Sequence, residues 1–106
     1  MLGKLFSMFK SDEAKPQRFI QKHILYHYPT CPFCFRVRIT MTQLGIDMDT
    51  RDIMLNPKFR AELKQGGGSS TVPCLRIEAE DASVEWLYES ADINAYLKQN
   101  FAKPVS

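Results

Sequence analysis

Apolar and polar positions change their period several times along this chain, and each change marks an element. "HILYHY" (His23 to Tyr28) is a short apolar and aromatic run followed by turn residues, which predicts a strand. Its lack of charged side chains suits a central strand with both faces buried. From Pro32 to Leu44 the period becomes helical. Cys34, Val37, Met41 and Leu44 fall at i, i+3, i+7 and i+10, and Gly45 supplies a C-terminal stop. "MDTRDI" (Met48 to Ile53) reads as a second strand of weaker pattern. "NPKFRAELKQG" reads as a helix: Asn56 can cap it, Pro57 suits its first turn, Phe59 and Leu63 form an i,i+4 apolar pair, and Gly66 ends it. "GGGSS" (Gly66 to Ser70) follows as a flexible loop. "TVPCLRI" (Thr71 to Ile77) and "SVEWLYE" (Ser83 to Glu89) then predict two strands joined by the acidic turn "EAEDA". A last helix, from about Ala91 to Gln99, turns Ile93, Tyr96 and Leu97 inward and carries Asp92 in its first turn.

The predicted order is β-α-β-α-β-β-α. A strand-helix-strand start implies a parallel pair with a right-handed crossover, and the closing hairpin is antiparallel. The expected fold is therefore of the α/β class (an α+β sandwich), with helices against a mixed four-stranded sheet. At 106 residues the chain has room for one domain, expected over residues 18–106. Residues 1–17 are expected to form a short helix or a disordered segment ahead of it. Leu2, Leu5, Phe6 and Phe9 recur there at helical spacing beside Lys4 and Lys10, so residues 1–10 read either as a membrane-surface or docking helix or as a fraying terminal turn.

Composition narrows the function classes. Fourteen Lys and Arg against twelve Asp and Glu give a net charge of +2, and the basic residues are scattered rather than gathered into a stripe. That pattern argues against a nucleic-acid partner. No run approaches the roughly 20 apolar residues of a membrane-spanning helix. Three cysteines and no secretory leader do not resemble a disulfide framework, which leads to the expectation of a cytoplasmic protein, with its thiols reduced.

The candidate chemistry lies in "PTCPFCFRVR" (Pro29 to Arg38), where two thiols stand three positions apart at a strand-to-helix junction. Pro32 at the first helical position makes Cys31 the cap. Its sulfur would face the unpaired N–H groups of Phe33 and Cys34 at the positive end of the helix dipole, and both effects favour the thiolate. Cys34, on the apolar stripe, should be buried and less acidic. An exposed attacking thiol beside a sheltered resolving one makes a dithiol redox centre. Structural zinc is the competing chemistry, but it takes four ligands and only His23, His27 and Cys74 remain, without a second pair, so no metal is expected. A [2Fe–2S] cluster shared between molecules stays open, because a partner can supply thiolates.

Three further features have both a bland and a sharp reading. The proline of "TVPC" is a common way to open a strand; if it is cis beside a reactive thiol, the backbone of Val72 is free to pair with an extended peptide. "YES" puts Glu89 and Ser90 at a helix opening, either as a cap and a solvated acid or as a carboxylate and ammonium site. Arg36 and Arg38 either line a solvated helix face or raise the potential around the site. Cys74 reads as a small buried strand residue or a third redox group, and His27 as a core-edge histidine rather than a base.

Taken together, "CPFC", "TVP" beginning 40 residues after Cys31, and the acidic/Ser pair opening the last helix resemble the glutaredoxin family, within the thioredoxin-like fold. "VPCL" and "YESADINAYL" are also similar to the amino-terminal domain of glutathione transferases. The resemblance implies glutathione as co-substrate, and glutathionylated or disulfide-containing proteins as partners of a protein that acts as a monomer. It implies Cys31 and Cys34 as the redox pair. It implies a cis Pro73, with Val72 holding the cysteinyl backbone of glutathione, and Glu89 and Ser90 holding its γ-glutamyl end. Arg60 and Lys64 are candidates for the glycine carboxylate. Tyr28 stands where many members carry lysine, and Phe33 where tyrosine is commoner; both fall among the positions that would flank glutathione. A non-catalytic iron–sulfur carrier and a glutathione-binding module without turnover are the alternatives the same resemblance allows.

Overall fold

The structure, a computed structural model, describes residues 18–102. The expectations for the amino-terminal segment, including membrane contact by residues 1–10, lie outside the described residues. Seven elements follow in the expected order: β1 (Arg18–His27), α1 (Pro32–Leu44), β2 (Ile46–Asp52), α2 (Pro57–Gly67), β3 (Cys74–Glu78), β4 (Val84–Tyr88) and α3 (Ser90–Asn100). The sheet order is β2-β1-β3-β4. β1 and β2 run parallel across the α1 crossover, and β3 lies antiparallel to both β1 and β4.

β1 is longer than the apolar run predicts. Arg18 and Phe19 pair with Ile46 and Asp47, and the register slips before Ile24, where Lys22 adopts a φ of 66°. That irregularity breaks the two-residue alternation, so only the stretch from His23 carries a visible strand pattern. Further along, Leu25 and Tyr26 point to opposite faces and both are fully buried. The uncharged run thus occupies the sheet interior, as its composition requires. Leu25 and Leu75 pack with Val37 and Met41 of α1 and Ile93 and Leu97 of α3. On the other face, Tyr26, Cys74 and Ile53 pack with Leu63 of α2.

Local signals account for the helix ends. Gly45 closes α1 at φ 66°, donating its N–H to Met41 and Thr42, and Asn56 Oδ1 caps α2 by accepting from Lys58 N–H at 2.9 Å. The expected end of α2 at Gly66 is corrected: the helix runs through Gly67, and Gly68 is its left-handed cap at φ 95°. The glycines here serve close approach rather than flexibility. A Cβ on Gly66 would overlap the Trp86 ring, and one on Gly67 would overlap the Tyr88 hydroxyl. The last turn of α2 therefore lies flat on β4, and Tyr88 Oη donates to the Ser69 carbonyl at 2.7 Å, tying down the segment that leads to Val72.

Candidate active site at the β1–α1 junction

β1 ends at His27, and a turn delivers Cys31 to the mouth of α1. Cys31 is the cap residue, with extended backbone (φ −80°, ψ 118°), and Pro32 opens the helix. The Cys31 N–H bonds the Tyr28 carbonyl at 3.2 Å, closing the turn. Cys34 N–H donates to Cys31 Sγ at 3.3 Å. Of the two N–H groups expected at the sulfur, those of Phe33 and Cys34, only that of Cys34 is within bonding reach. The first turn of α1 contains no acidic residue, so nothing there offsets the positive end of its dipole.

The expectation of an exposed attacking thiol is corrected. Cys31 is only 4% exposed, because its side chain folds back over the helix mouth to reach the Cys34 amide. Cys34 is fully buried, and burial first, then its hydrogen bond with Cys31, pushes its thiol up to about 12; the Tyr28 backbone and Arg38 act in the opposite direction. Cys74 is also fully buried, and desolvation pushes it up to about 12 against a small opposing contribution from Tyr88. All three are free thiols in the structure.

The buried thiols make stability sensitive to alkali. A thiol whose folded pKa is raised stays protonated in the native state, while the unfolded chain releases its proton above about pH 8.5. The unfolded state then binds fewer protons, so stability is intact below that pH and is lost as pH rises toward 12. Burial also raises Tyr26, which acts in the same direction at still higher pH. The urea midpoint is expected to fall steadily between pH 8.5 and 10.5, and Cys74→Ala should flatten the decline. A midpoint constant over that range would overturn the reading.

Next to the turn that carries Cys31 lies an open groove of about 610 Å³, lined by Tyr28, Thr30, Met54, Arg60, Thr71 and Val72 among others; the inward-folded Cys31 adjoins it through Thr30 and is not itself on its wall. Segments far apart in the chain meet here because β1, the β2–α2 connection and the approach to β3 all end at the same edge. The Val72–Pro73 bond is cis, as the resemblance implies. Neither the N–H nor the carbonyl of Val72 takes part in the backbone hydrogen bonds of the described residues. Of the two cationic candidates, Arg60 lines the groove and Lys64, one turn further along α2, is not among its lining residues. Phe33 is not among them either; its ring is half-exposed, with the Arg36 guanidinium 5.4 Å from its centre.

Glu89 and Ser90 stand at the opening of α3, but Ser90 is not the cap. Glu89 occupies that position, Ser90 is the first helical residue and is buried, and no side chain caps the helix. Glu89 has a φ of 78°, a conformation that costs a non-glycine residue roughly 1–3 kcal/mol, and strain of this kind concentrates at ligand-holding positions.

Some contributors were not legible beforehand. Arg38 braces the turn that carries Cys31, with Nη2 donating to the Pro29 carbonyl at 3.4 Å and Nη1 3.5 Å from His27 Nδ1. Burial first and Arg38 second lower the pKa of His27, consistent with a core-edge histidine. Met54 is an exposed apolar side chain on the groove wall. An apolar pair in a short polar connection, Met54 and Leu55, was the only trace of it in the chain. Among the described residues, no three His, Cys, Asp or Glu side chains gather as a metal site would require.

Comparison with known proteins agrees with this geometry. A sequence model of the glutaredoxin family matches residues 23–81. A glutaredoxin of Pseudomonas aeruginosa is 34% identical over 50 residues, 47% of this chain and 60% of that protein. Among solved structures, a trimeric glutathione transferase of Leishmania superposes with a TM-score of 0.62 at 31% identity, over 76% of this chain and 18% of that one. A glutathione transferase homologue from Drosophila mojavensis, solved with bound glutathione, gives a TM-score of 0.62 at 26% identity, over 77% of this chain and 36% of that one. The chain thus spans 60% of the length of that glutaredoxin and 18% and 36% of the two transferases. The family model matches more than half of the chain, over the stretch that carries the Cys31–Cys34 helix mouth and the cis Pro73, so this chain belongs to the glutaredoxin family.

Proposed function

We propose that the protein is a glutathione-dependent thiol–disulfide oxidoreductase working in a reducing, cytoplasmic compartment as a monomer. The Cys31 thiolate attacks the glutathione sulfur of a protein–glutathione mixed disulfide. The protein thiolate leaves and takes up a proton, and Cys31 is left joined to glutathione. The thiolate of a second glutathione attacks the glutathione sulfur of that adduct, oxidised glutathione departs, and Cys31 returns as thiolate. With a protein disulfide, Cys31 attacks first and Cys34 resolves the mixed intermediate. The resulting Cys31–Cys34 disulfide is then reduced by two glutathiones.

The single observation that carries this reading is the Cys34 N–H to Cys31 Sγ hydrogen bond at a helix mouth free of acidic residues, next to a groove bordered by the unpaired backbone of Val72. The amide stabilises the sulfur both as nucleophile and as leaving group. The groove, at about 610 Å³, offers a tripeptide Val72 for strand-like pairing and Arg60 for a carboxylate. Glu89 and the first-turn amides of α3 are the proposed partners of the γ-glutamyl end.

A coupled assay of glutathione mixed-disulfide reduction tests this. Arg60→Ala is expected to raise KM for the glutathionylated substrate about tenfold with kcat nearly unchanged, the mark of a lost charged contact made equally in ground and transition states. Unchanged KM in that variant would remove Arg60 from the site. No turnover by the wild-type protein would remove the proposed reaction.

A further inference from the structure

Two arginines follow the thiols on α1, and they stand in different surroundings. Arg36 is exposed and lies over the Phe33 ring. Arg38 is half-buried and comes four positions after Cys34, the spacing at which side chains on a helix meet. Its side chain runs back toward the helix start, as helical side chains do, and its guanidinium reaches the Pro29 carbonyl at 3.4 Å and His27 Nδ1 at 3.5 Å. The guanidinium carbon lies 5.5 Å from the centre of the Phe35 ring.

This guanidinium is held in place without being neutralised. Its partners are a carbonyl and a ring nitrogen, and the ion pair found among the described residues joins Arg51 to Glu62 instead. Arginine only donates, so His27 meets it with Nδ1 as acceptor, in the neutral form that burial first and Arg38 second favour. The carboxylate that acts on His27 is Asp52, its register partner on β2. Asp52 Oδ1 already accepts the Met54 and Leu55 N–H groups, at 2.9 and 3.2 Å. The Arg38 charge is therefore fixed one helical turn from Cys34 with no carboxylate paired to it.

Cys34 needs such a charge. To resolve a mixed disulfide it must react as thiolate, yet burial first, and then its bond with Cys31, push it up to about 12. At pH 7 a thiol of that kind is ionised in roughly one molecule in 10⁵. Arg38 is the side chain that acts in the opposite direction. We propose that Arg38 is a positioning residue for the resolving step: held by the Pro29 carbonyl and His27, it offsets the negative charge that Cys34 takes on before it attacks. In that step Cys34 gives up its proton and its thiolate attacks the Cys31 sulfur of the mixed disulfide. The departing thiolate takes up a proton, and the Cys31–Cys34 bond remains. The inference rests on the assignment of Cys31 as attacking and Cys34 as resolving thiol made above.

Dithiobis(nitrobenzoate), an aromatic disulfide that releases a coloured thiolate, separates the two steps without glutathione. The first release marks attack by Cys31 and the second marks resolution by Cys34; Cys34→Ser removes the second and so identifies it. Arg38→Gln keeps a hydrogen-bond donor and loses the charge, and should slow the second release about tenfold and the first by less than about threefold. Arg38→Lys restores the charge and should return the second release to within about threefold of wild type. Arg36→Gln should leave the ratio of the two rates unchanged, which separates Arg38 from the general charge of the helix. Equal slowing of both releases in Arg38→Gln, the mark of a brace alone, or a second release as fast as wild type, would overturn the proposal. Should Arg38→Gln fail to fold, Arg38→Lys decides, and a second release slowed tenfold there overturns it. A single release from the wild-type protein would remove Cys34 as resolving thiol and this inference with it. Two releases without glutathione turnover would remove the proposed reaction and leave the role of Arg38 to the variants.

Discussion

Exchange of Cys31 for serine is expected to abolish reduction of a protein–glutathione mixed disulfide, with a fall in kcat on the order of a thousandfold or more, as for loss of any covalent nucleophile. Serine keeps the cap geometry, because its oxygen can still accept from Cys34 N–H, so the fold should survive. Exchange of Cys34 for serine should leave that reaction close to wild type, since the second glutathione replaces the resolving thiol. It should severely impair reduction of a protein disulfide, where Cys34 itself must complete the exchange. The asymmetry follows from position: Cys31 takes a hydrogen bond at the helix mouth, whereas Cys34 is fully buried and held as a thiol by burial, up to about 12. Equal loss of both reactions in both variants would contradict the assigned roles. Mass spectrometry after incubation with oxidised glutathione supplies a second readout, with an adduct on Cys31 trapped in the Cys34→Ser protein and none in the reverse variant.

The largest expected effect on stability comes from Leu25→Ala. Leu25 is fully buried on the central strand, packed against Leu75 of β3 and between the inward faces of α1 and α3. Truncating a leucine in such a place costs about 2–5 kcal/mol, because the surrounding side chains collapse only partly into the space left. Against a total of about 5–15 kcal/mol for a domain of this size, the variant should unfold at a much lower urea concentration and be partly unfolded at physiological temperature. Phe19→Ala, at a half-exposed position near the start of the same strand, is the contrast and should change stability by about 0.5 kcal/mol or less. Similar midpoint shifts for the two would mean that the core is not centred where the packing puts it.

The elements themselves were largely legible, and the reason is local. Gly45 past an apolar stripe, Asn56 and Pro57 before one, and Pro32 behind Cys31 act through bonds to residues two to four positions away, so near neighbours suffice to read them. The uncharged run at Leu25 and Tyr26 likewise implied burial on both sides. Where local pattern misled, a distant partner had intervened. Gly66 and Gly67 look like a loop because glycine is a poor helix former, but Trp86 and Tyr88 on a remote strand leave no room for a side chain there. β1 extends beyond its apolar run, where the irregularity at Lys22 hides the pairing of Arg18 and Phe19 with β2.

The chain's own order of residues determined that two thiols share a helix mouth, that one is its cap, and that the second lies on the apolar stripe. Only the tertiary structure decided that Cys31 is folded inward, that Arg60 rather than Lys64 reaches the groove, and that Arg38 braces the preceding turn. Helix caps and stripes arise from neighbours within a turn, which a sequence displays. A groove whose walls come from residues 28–30, 53–54, 60 and 70–72 exists only after the sheet has aligned those segments at one edge, and which side chains meet there depends on register and crossover that no short stretch of the chain encodes.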